Sequence, residues 1–323
     1  MKFISSLKAS PGRSLLCFER PPAMATKVVT SGLRLRLCNE LQGRTSMFTS
    51  TPVLKPNPAA AVFQPSRVPN IPCSMQDDAA RSVTQIAARD RRAETGSVTA
   101  VWGKSFSGKT TVLKRLGEVG SLKQQIVTLD LSGFFIFESL RQSVSDCLRL
   151  SFTEDDWPDS ITMPAVLQRY LMLSGIRVFA VDDFQQLRLM DINERSEFLS
   201  FFKGLVSPPL NMSLVLSGLP DAAQAEAVAK NCSKTLTTIA IASWQYSQAY
   251  LRFLASVEHS TTGIKTTRLT EGCVPALILE MSEGQTGSIV LNARSILARF
   301  ALDPNFIPSD EAVKETINNC WEH

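Results

Sequence analysis

Histidine is nearly missing from this 323-residue chain: only His259 and His323 occur, in polar sequence and at the end. No His-based catalytic triad or His-built metal centre is expected from so few. The seven cysteines (17, 38, 73, 147, 232, 273 and 320) are scattered, odd in number and without a C-x-x-C pair. That pattern argues against a zinc site and against a disulfide frame, and fits the reduced thiols of a cytoplasmic protein. No apolar run is long enough to span a membrane. Acids are scarce at one end, with Glu19 and Glu40 the only two in residues 1–70. The net charge of the whole chain is only +4, so charge alone does not announce nucleic acid. At 44% hydrophobic residues, the length suits one large or two small globular domains.

Residues 1–70 are basic, rich in Ser, Thr and Pro, and lack sustained periodicity. They are expected to be a disordered segment followed by a proline-rich linker. Met24 and Met47 offer later starts, so residues 1–46 are not expected to be needed. The same stretch could instead be a basic arm, and its Arg- and Ser-rich, acid-poor make-up also has the look of a transit peptide.

Function is concentrated in residues 97–111. Ser97-Val-Thr-Ala-Val-Trp102 has strand character, and Thr111-Val-Leu-Lys-Arg-Leu116 has helical apolar spacing. Between them Gly103-Lys104-Ser105-Phe106-Ser107-Gly108-Lys109-Thr110 fits G-x-x-x-x-G-K-[ST], and Thr111 follows. Strand, glycine-bounded loop and helix start are the frame in which this motif cradles the phosphates of a nucleoside triphosphate. The two glycines let backbone N–H groups turn inward, and the helix adds its positive dipole end. Lys109 is placed to reach the β- and γ-phosphates. The Thr110 hydroxyl is placed to ligate Mg2+, a cation that takes oxygen ligands. ATP and Mg2+ are therefore the expected cofactors.

A second feature completes the pattern. Residues 176–184 form a short apolar run ending in Asp182 and Asp183. Such a run reads as a parallel strand buried on both faces, whose carboxyl end faces ligand. Asp182 is expected to hold magnesium through water, and Asp183 to orient or deprotonate the attacking water. Other strands are read at 125–131, 213–218 and 235–243. Helices are read at 79–92 (capped by Asp77-Asp78), 135–150, 163–174, 192–205 and 220–230, with an acidic loop at 153–159 holding Trp157. After Trp244 only helices follow: 247–257, 274–281, 288–301 and 309–320. The expected fold is thus α/β, a P-loop AAA+ three-layer domain with a parallel sheet at 71–244, followed by a small helical lid domain at 245–323.

Over about residues 71–301 the chain resembles the AAA+ transposition ATPases of the TniB/TnsC type. The resemblance rests, in order, on 102–111, on Ala180-Val-Asp-Asp-Phe-Gln-Gln-Leu187, and on Arg195-Ser-Glu-Phe-Leu199. It continues through Leu216-Ser-Gly-Leu-Pro-Asp-Ala222, Ser243-Trp244 and Ser282-Glu-Gly-Gln-Thr-Gly-Ser-Ile289. It implies a homo-oligomer, ring or filament, that assembles with ATP on duplex DNA and recruits a DDE transposase, with no membrane involved. Three departures stand out: Asp183 where the family has Glu, Leu219 where a polar sensor is expected, and Lys230 to Thr235 without the arginine that precedes Trp244 elsewhere. Lysine lacks the planar fork of guanidinium. Hydrolysis is therefore expected to be slow, with ATP acting mainly as an assembly switch.

Two other classes compete: a nucleotide-gated signalling or scaffold ATPase that does not bind DNA, and a small-molecule kinase. The helical C-terminal block fits a kinase lid poorly. Lys114, Arg115, Lys123 and Arg141 are candidates for phosphate contact with DNA, each weighed against an ordinary solvated helix face.

Overall fold

Five short runs of β-branched and apolar residues form one parallel sheet in the computed structural model, which describes residues 71–118, 122, 125–132, 139–153, 155–157, 162–262 and 268–319. The strands are β1 (Ser97–Trp102), β2 (Ile126–Asp130), β3 (Val178–Asp182), β4 (Ser213–Gly218) and β5 (Leu236–Ala240). Their order is β2-β3-β4-β1-β5, and every neighbouring pair is parallel. β3 and β4 are buried at all positions, which is why they read as nearly unbroken apolar runs. The edge strands β2 and β5 carry threonines and are only partly covered.

Alternate strand residues face opposite layers. Phe179, Val181, Leu214 and Leu216 point to one core, and Val178, Ala180, Val215 and Val101 to the other. The second core is closed by α1 (Ser74–Ala93) and α2 (Lys109–Glu118), through Ala79, Val83, Val112 and Leu116. The first is closed by α3 (Leu140–Leu148), α4 (Ala165–Ser174), α5 (Ile192–Val206) and α6 (Ala222–Asn231). Phe198, Phe201 and Phe202 of α5 dominate it. The result is a three-layer α/β/α sandwich.

A separate core lies under α7 (Gln248–Thr262), α8 (Val274–Met281), α9 (Thr286–Leu302) and α10 (Asp310–Asn319). Tyr250, Leu254, Ile278, Ile289 and Ile296 build it, and the Tyr250 hydroxyl donates to the Pro275 carbonyl at 2.8 Å. Trp244 stacks on Phe253 with centroids 4.8 Å apart, and Ile71 and Cys73 join the same cluster. The lead-in to α1 therefore packs with the C-terminal helices.

Several expectations are corrected. The first helix starts at Ser74 rather than behind an Asp77-Asp78 cap, because Gln76, Ala79, Ala80 and Val83 already form its buried face. Asp77 pairs with Arg115, and Asp78 with Arg81. The strand read to residue 184 ends at Asp182, and a 3-10 turn, Phe184–Arg188, follows. Trp157 lies in a loop, as read, and its side chain is buried against Phe152 and Phe201. Residues 1–70, Lys123, the start of the helix read at 135–150, Pro158 and Cys320 lie outside the described residues.

Arg115 is no DNA contact on an exposed face. It is 4% exposed, ion-pairs with Asp77, and donates to the carbonyls of Ile71 (2.7 Å) and Cys73 (3.3 Å). The guanidinium staples the lead-in to α2. Arg115→Met should cost about 2–3 kcal/mol, since charged hydrogen bonds to buried carbonyls are lost together. Lys114→Met, on the exposed side of the helix, should change stability by less than about 0.5 kcal/mol. Urea denaturation of both variants measures this; equal, small effects would contradict the staple.

Candidate functional site

The loop between β1 and α2 is held by steric fit. A side chain on Gly103 would collide with Ser107, and one on Gly108, at φ +93°, would strike the amide of Gln76. That amide instead donates to the Ser107 carbonyl at 3.4 Å. The Ser107 N–H donates to the Lys104 carbonyl at 3.2 Å, tightening the turn. Lys104, Ser105 and Phe106 stand exposed at the rim, with Phe106 at φ +61°. Lys109 opens α2, followed by exposed Thr110 and half-buried Thr111. The Lys109 ammonium is buried and donates to the carbonyls of Gly103 (3.0 Å) and Lys104 (2.9 Å). Burial lowers its pKa, while the nearby charges of Asp183 and then Asp182 oppose that shift.

The acids sit at the carboxyl end of β3, between β2 and β4. Asp182 is buried, and its Oδ1 accepts from the Ser217 hydroxyl (2.7 Å) and the Asp183 N–H (3.1 Å). Its Oδ2 takes no hydrogen bond from the described residues. Asp183 turns the chain in the left-handed region at φ +52°, a conformation that Asp tolerates better than most residues. Its Oδ1 accepts from Gln185 Nε2 at 2.9 Å, while Gln185 Oε1 accepts from the Leu219 N–H at 3.2 Å. The position read as a missing polar sensor thus contributes a backbone donor. Lys230 is exposed at the end of α6 and Lys234 half-buried before β5.

The C-terminal helices close on this loop. The Gly287 N–H, in the first turn of α9, donates to the Phe106 carbonyl at 2.6 Å, and Lys104 pairs with Glu283 at 3.1 Å. Trp244 fixes the approach: its N–H donates to the Gly284 carbonyl (2.8 Å) and its indole to Thr286 (3.1 Å). The Gln285 amide adds a bond to Ser243 at 2.8 Å. The stretches 243–244 and 282–289, far apart in sequence, therefore meet each other, and the second reaches the loop at Lys104 and Phe106. Beside them lies a cleft of about 540 Å³ lined by Cys73, Gln76, Gly108, Thr111, Thr286 and Arg294. The Nε of Arg294 is buried there without a hydrogen-bond partner, and burial lowers the guanidinium pKa.

The inward-facing groups at this place would suit a polyphosphate ligand. The glycines leave a cradle, Ser107 Oγ is buried with no partner, and one ammonium faces two carboxylates. Among the described residues no group of three or more His, Cys, Asp or Glu side chains converges on a metal position. A cation at Asp182 and Thr110 would therefore need further oxygens from a ligand and water, as Mg2+ in nucleotide sites does. Gln76, Gln185, Gly287 and Arg294 were not singled out from sequence. Gln185 and Gly287 left a trace there, as parts of the quoted stretches 180–187 and 282–289.

A β2-β3-β4-β1-β5 parallel sheet with a loop of this type after β1, acids after β3 and a helical bundle behind defines the AAA+ P-loop ATPase fold. The chain is similar to the ORC1 protein of Aeropyrum pernix in complex with DNA, at 15% identity and TM-score 0.52, over 81% of this chain and 69% of that one. It is also similar to the ORC2 protein of the same organism in its ADPNP–ADP complexes, at 12% identity and TM-score 0.51, over 80% and 71%. These likenesses are of fold. No protein-family model and no curated protein matches the sequence.

Lys109 yields a pH signature. Its folded pKa lies below the ordinary 10.5, so the unfolded chain binds the proton more tightly between the two values. Stability contributed at this position should rise with pH through that window, up to 10.5. Denaturation of wild type and Lys109→Met across alkaline pH should show the wild type gaining relative to the variant. A pH-independent difference would contradict a strained, buried ammonium.

Proposed function

We propose that the chain binds ATP with Mg2+ at residues 103–111, hydrolyses it slowly, and acts as an ATP-dependent regulator of transposition. In this reading residues 71–244 are the ATPase core and 245–323 the lid. The observation that carries the nucleotide part is the convergence of Lys109, Asp182, Asp183 and the Gly287–Phe106 contact on one loop; the transposition part rests on the sequence resemblance. Backbone N–H groups of 103–108 and the ammonium of Lys109 hold the phosphates. Thr110 and Asp182 hold the cation, which when bound neutralises phosphate oxygens. Asp183 orients the attacking water and takes its proton.

Duplex DNA, a DDE transposase and further copies of the chain are the partners in this proposal. The solved Aeropyrum relatives, one with DNA and one with ADPNP and ADP, support looking for both ligands. Assembly with ATP would line up many weak basic contacts along one duplex, each modest and salt-screened alone. Of the phosphate-contact candidates, Lys114 is exposed, whereas Arg115 is consumed by the staple and Arg141 is half-buried with a partner.

Fluorescence anisotropy of a labelled duplex, titrated with ATP, ADP or no nucleotide at two salt concentrations, tests the proposal. Binding should be weak without nucleotide, strong and cooperative with ATP, and steeply weakened by salt. Lys109→Ala should stay folded and lose the ATP response, and removal of residues 1–46 should preserve it. Equal affinity in all three states, or none in any, would move the function to a DNA-independent scaffold.

A further inference from the structure

The acid placed to activate water is not held by its own backbone geometry alone. The Asp183 N–H is tied to Asp182, and among the described residues its carboxylate receives one side-chain donor, Gln185 Nε2 at 2.9 Å. The other end of that amide accepts from the Leu219 N–H, the residue directly after β4. A carboxamide can satisfy both neighbours in only one orientation, since the flipped form would set its oxygen against a carboxylate. The seat is built around it: a side chain on Gly218 would collide with Gln185 Oε1 and the Phe184 ring. Phe184 is fully buried, lies 5.4 Å from Trp102 at the end of β1, and its carbonyl accepts from Gln224 at 3.4 Å. The turn carrying Gln185 is thereby anchored to the ends of β1 and β4.

We infer that Gln185 is the positioning residue for hydrolysis, orienting the Asp183 carboxylate and linking it to the exit of β4. The inference rests on the ATPase reading above. In that reaction the water oxygen bonds to the γ-phosphorus, and the bond from that phosphorus to the bridging oxygen breaks. The electron pair leaves on ADP, and the water proton passes to Asp183. With Oδ1 engaged by Gln185, Oδ2 is the oxygen without a hydrogen bond from the described residues, and so the one left to take the proton. The hold matters because near-attack geometry tolerates little misplacement of the carboxylate.

Three forms decide it: wild type, Gln185→Ala and Gln185→Glu. Each is measured for affinity toward a fluorescent ATP analogue, for kcat and KM of phosphate release, and for melting temperature. Gln185→Ala should bind and melt as wild type, with kcat lowered about 10-fold and KM unchanged, the scale of losing an outer support of a reacting group. Gln185→Glu, which replaces the donor amide by a group of like charge at the same chain length, should be at least as slow. Wild-type kcat in the alanine variant, or a loss matched by weaker binding or lower melting, would overturn the inference while leaving the ATPase reading in place. Wild-type protein that binds the analogue but releases no phosphate would overturn both the inference and the hydrolytic part of that reading, and no binding at all would remove the site itself.

Discussion

One buried cation sets the terms for this structure. The Lys109 ammonium is drawn out of water at the mouth of a parallel sheet, held by two loop carbonyls and faced by the carboxylates of Asp182 and Asp183. A lone charge in that position would be strongly disfavoured, and so would paired acids at the end of a buried strand. Each makes the other tolerable, and the parallel register of β1, β4 and β3 brings both to one edge. A polyanion with its own cation suits both halves of such a site, offering phosphate oxygens to the ammonium and a metal to the acids.

The surrounding structure serves to keep that edge in place. Arg115 ties the lead-in segment to α2, and Gln76 reaches from α1 to brace the loop. Gly287 bonds the C-terminal helices to the same loop at Phe106, and Trp244 braces Gly284 behind that contact. These bonds link the sheet core to the helical bundle through the 103–108 loop itself. A ligand that rearranged the loop would therefore act directly on the position of the helices.

What was legible in the sequence was whatever has a local signature. Unbroken apolar runs announced β3 and β4, alternation of strands with helices announced the parallel sheet, and the turn to helices after Trp244 announced the bundle. Fixed short spacing announced the loop and the two acids. The rest depends on contacts between residues far apart. Arg115 looked like any basic helix residue, because its partners Ile71, Cys73 and Asp77 lie about forty residues earlier. Trp157 sat among acids, and its burial came from α5. The helix start at Ser74 was hidden because Asp77-Asp78 resembles a cap, while Gln76 on the buried face carries no apolar signal. Leu219 read as a lost sensor because a backbone N–H leaves no mark in sequence.

The central claim is that residues 103–111, the end of β3 and the start of α9 make one nucleotide site. Hydrogen–deuterium exchange of the full chain with and without a non-hydrolysable ATP analogue and Mg2+ addresses it most directly. A shared site requires joint protection of residues 103–111, 182–185 and 284–288, at analogue concentrations where little else changes. Protection confined to another surface, or none at saturating analogue, would contradict it.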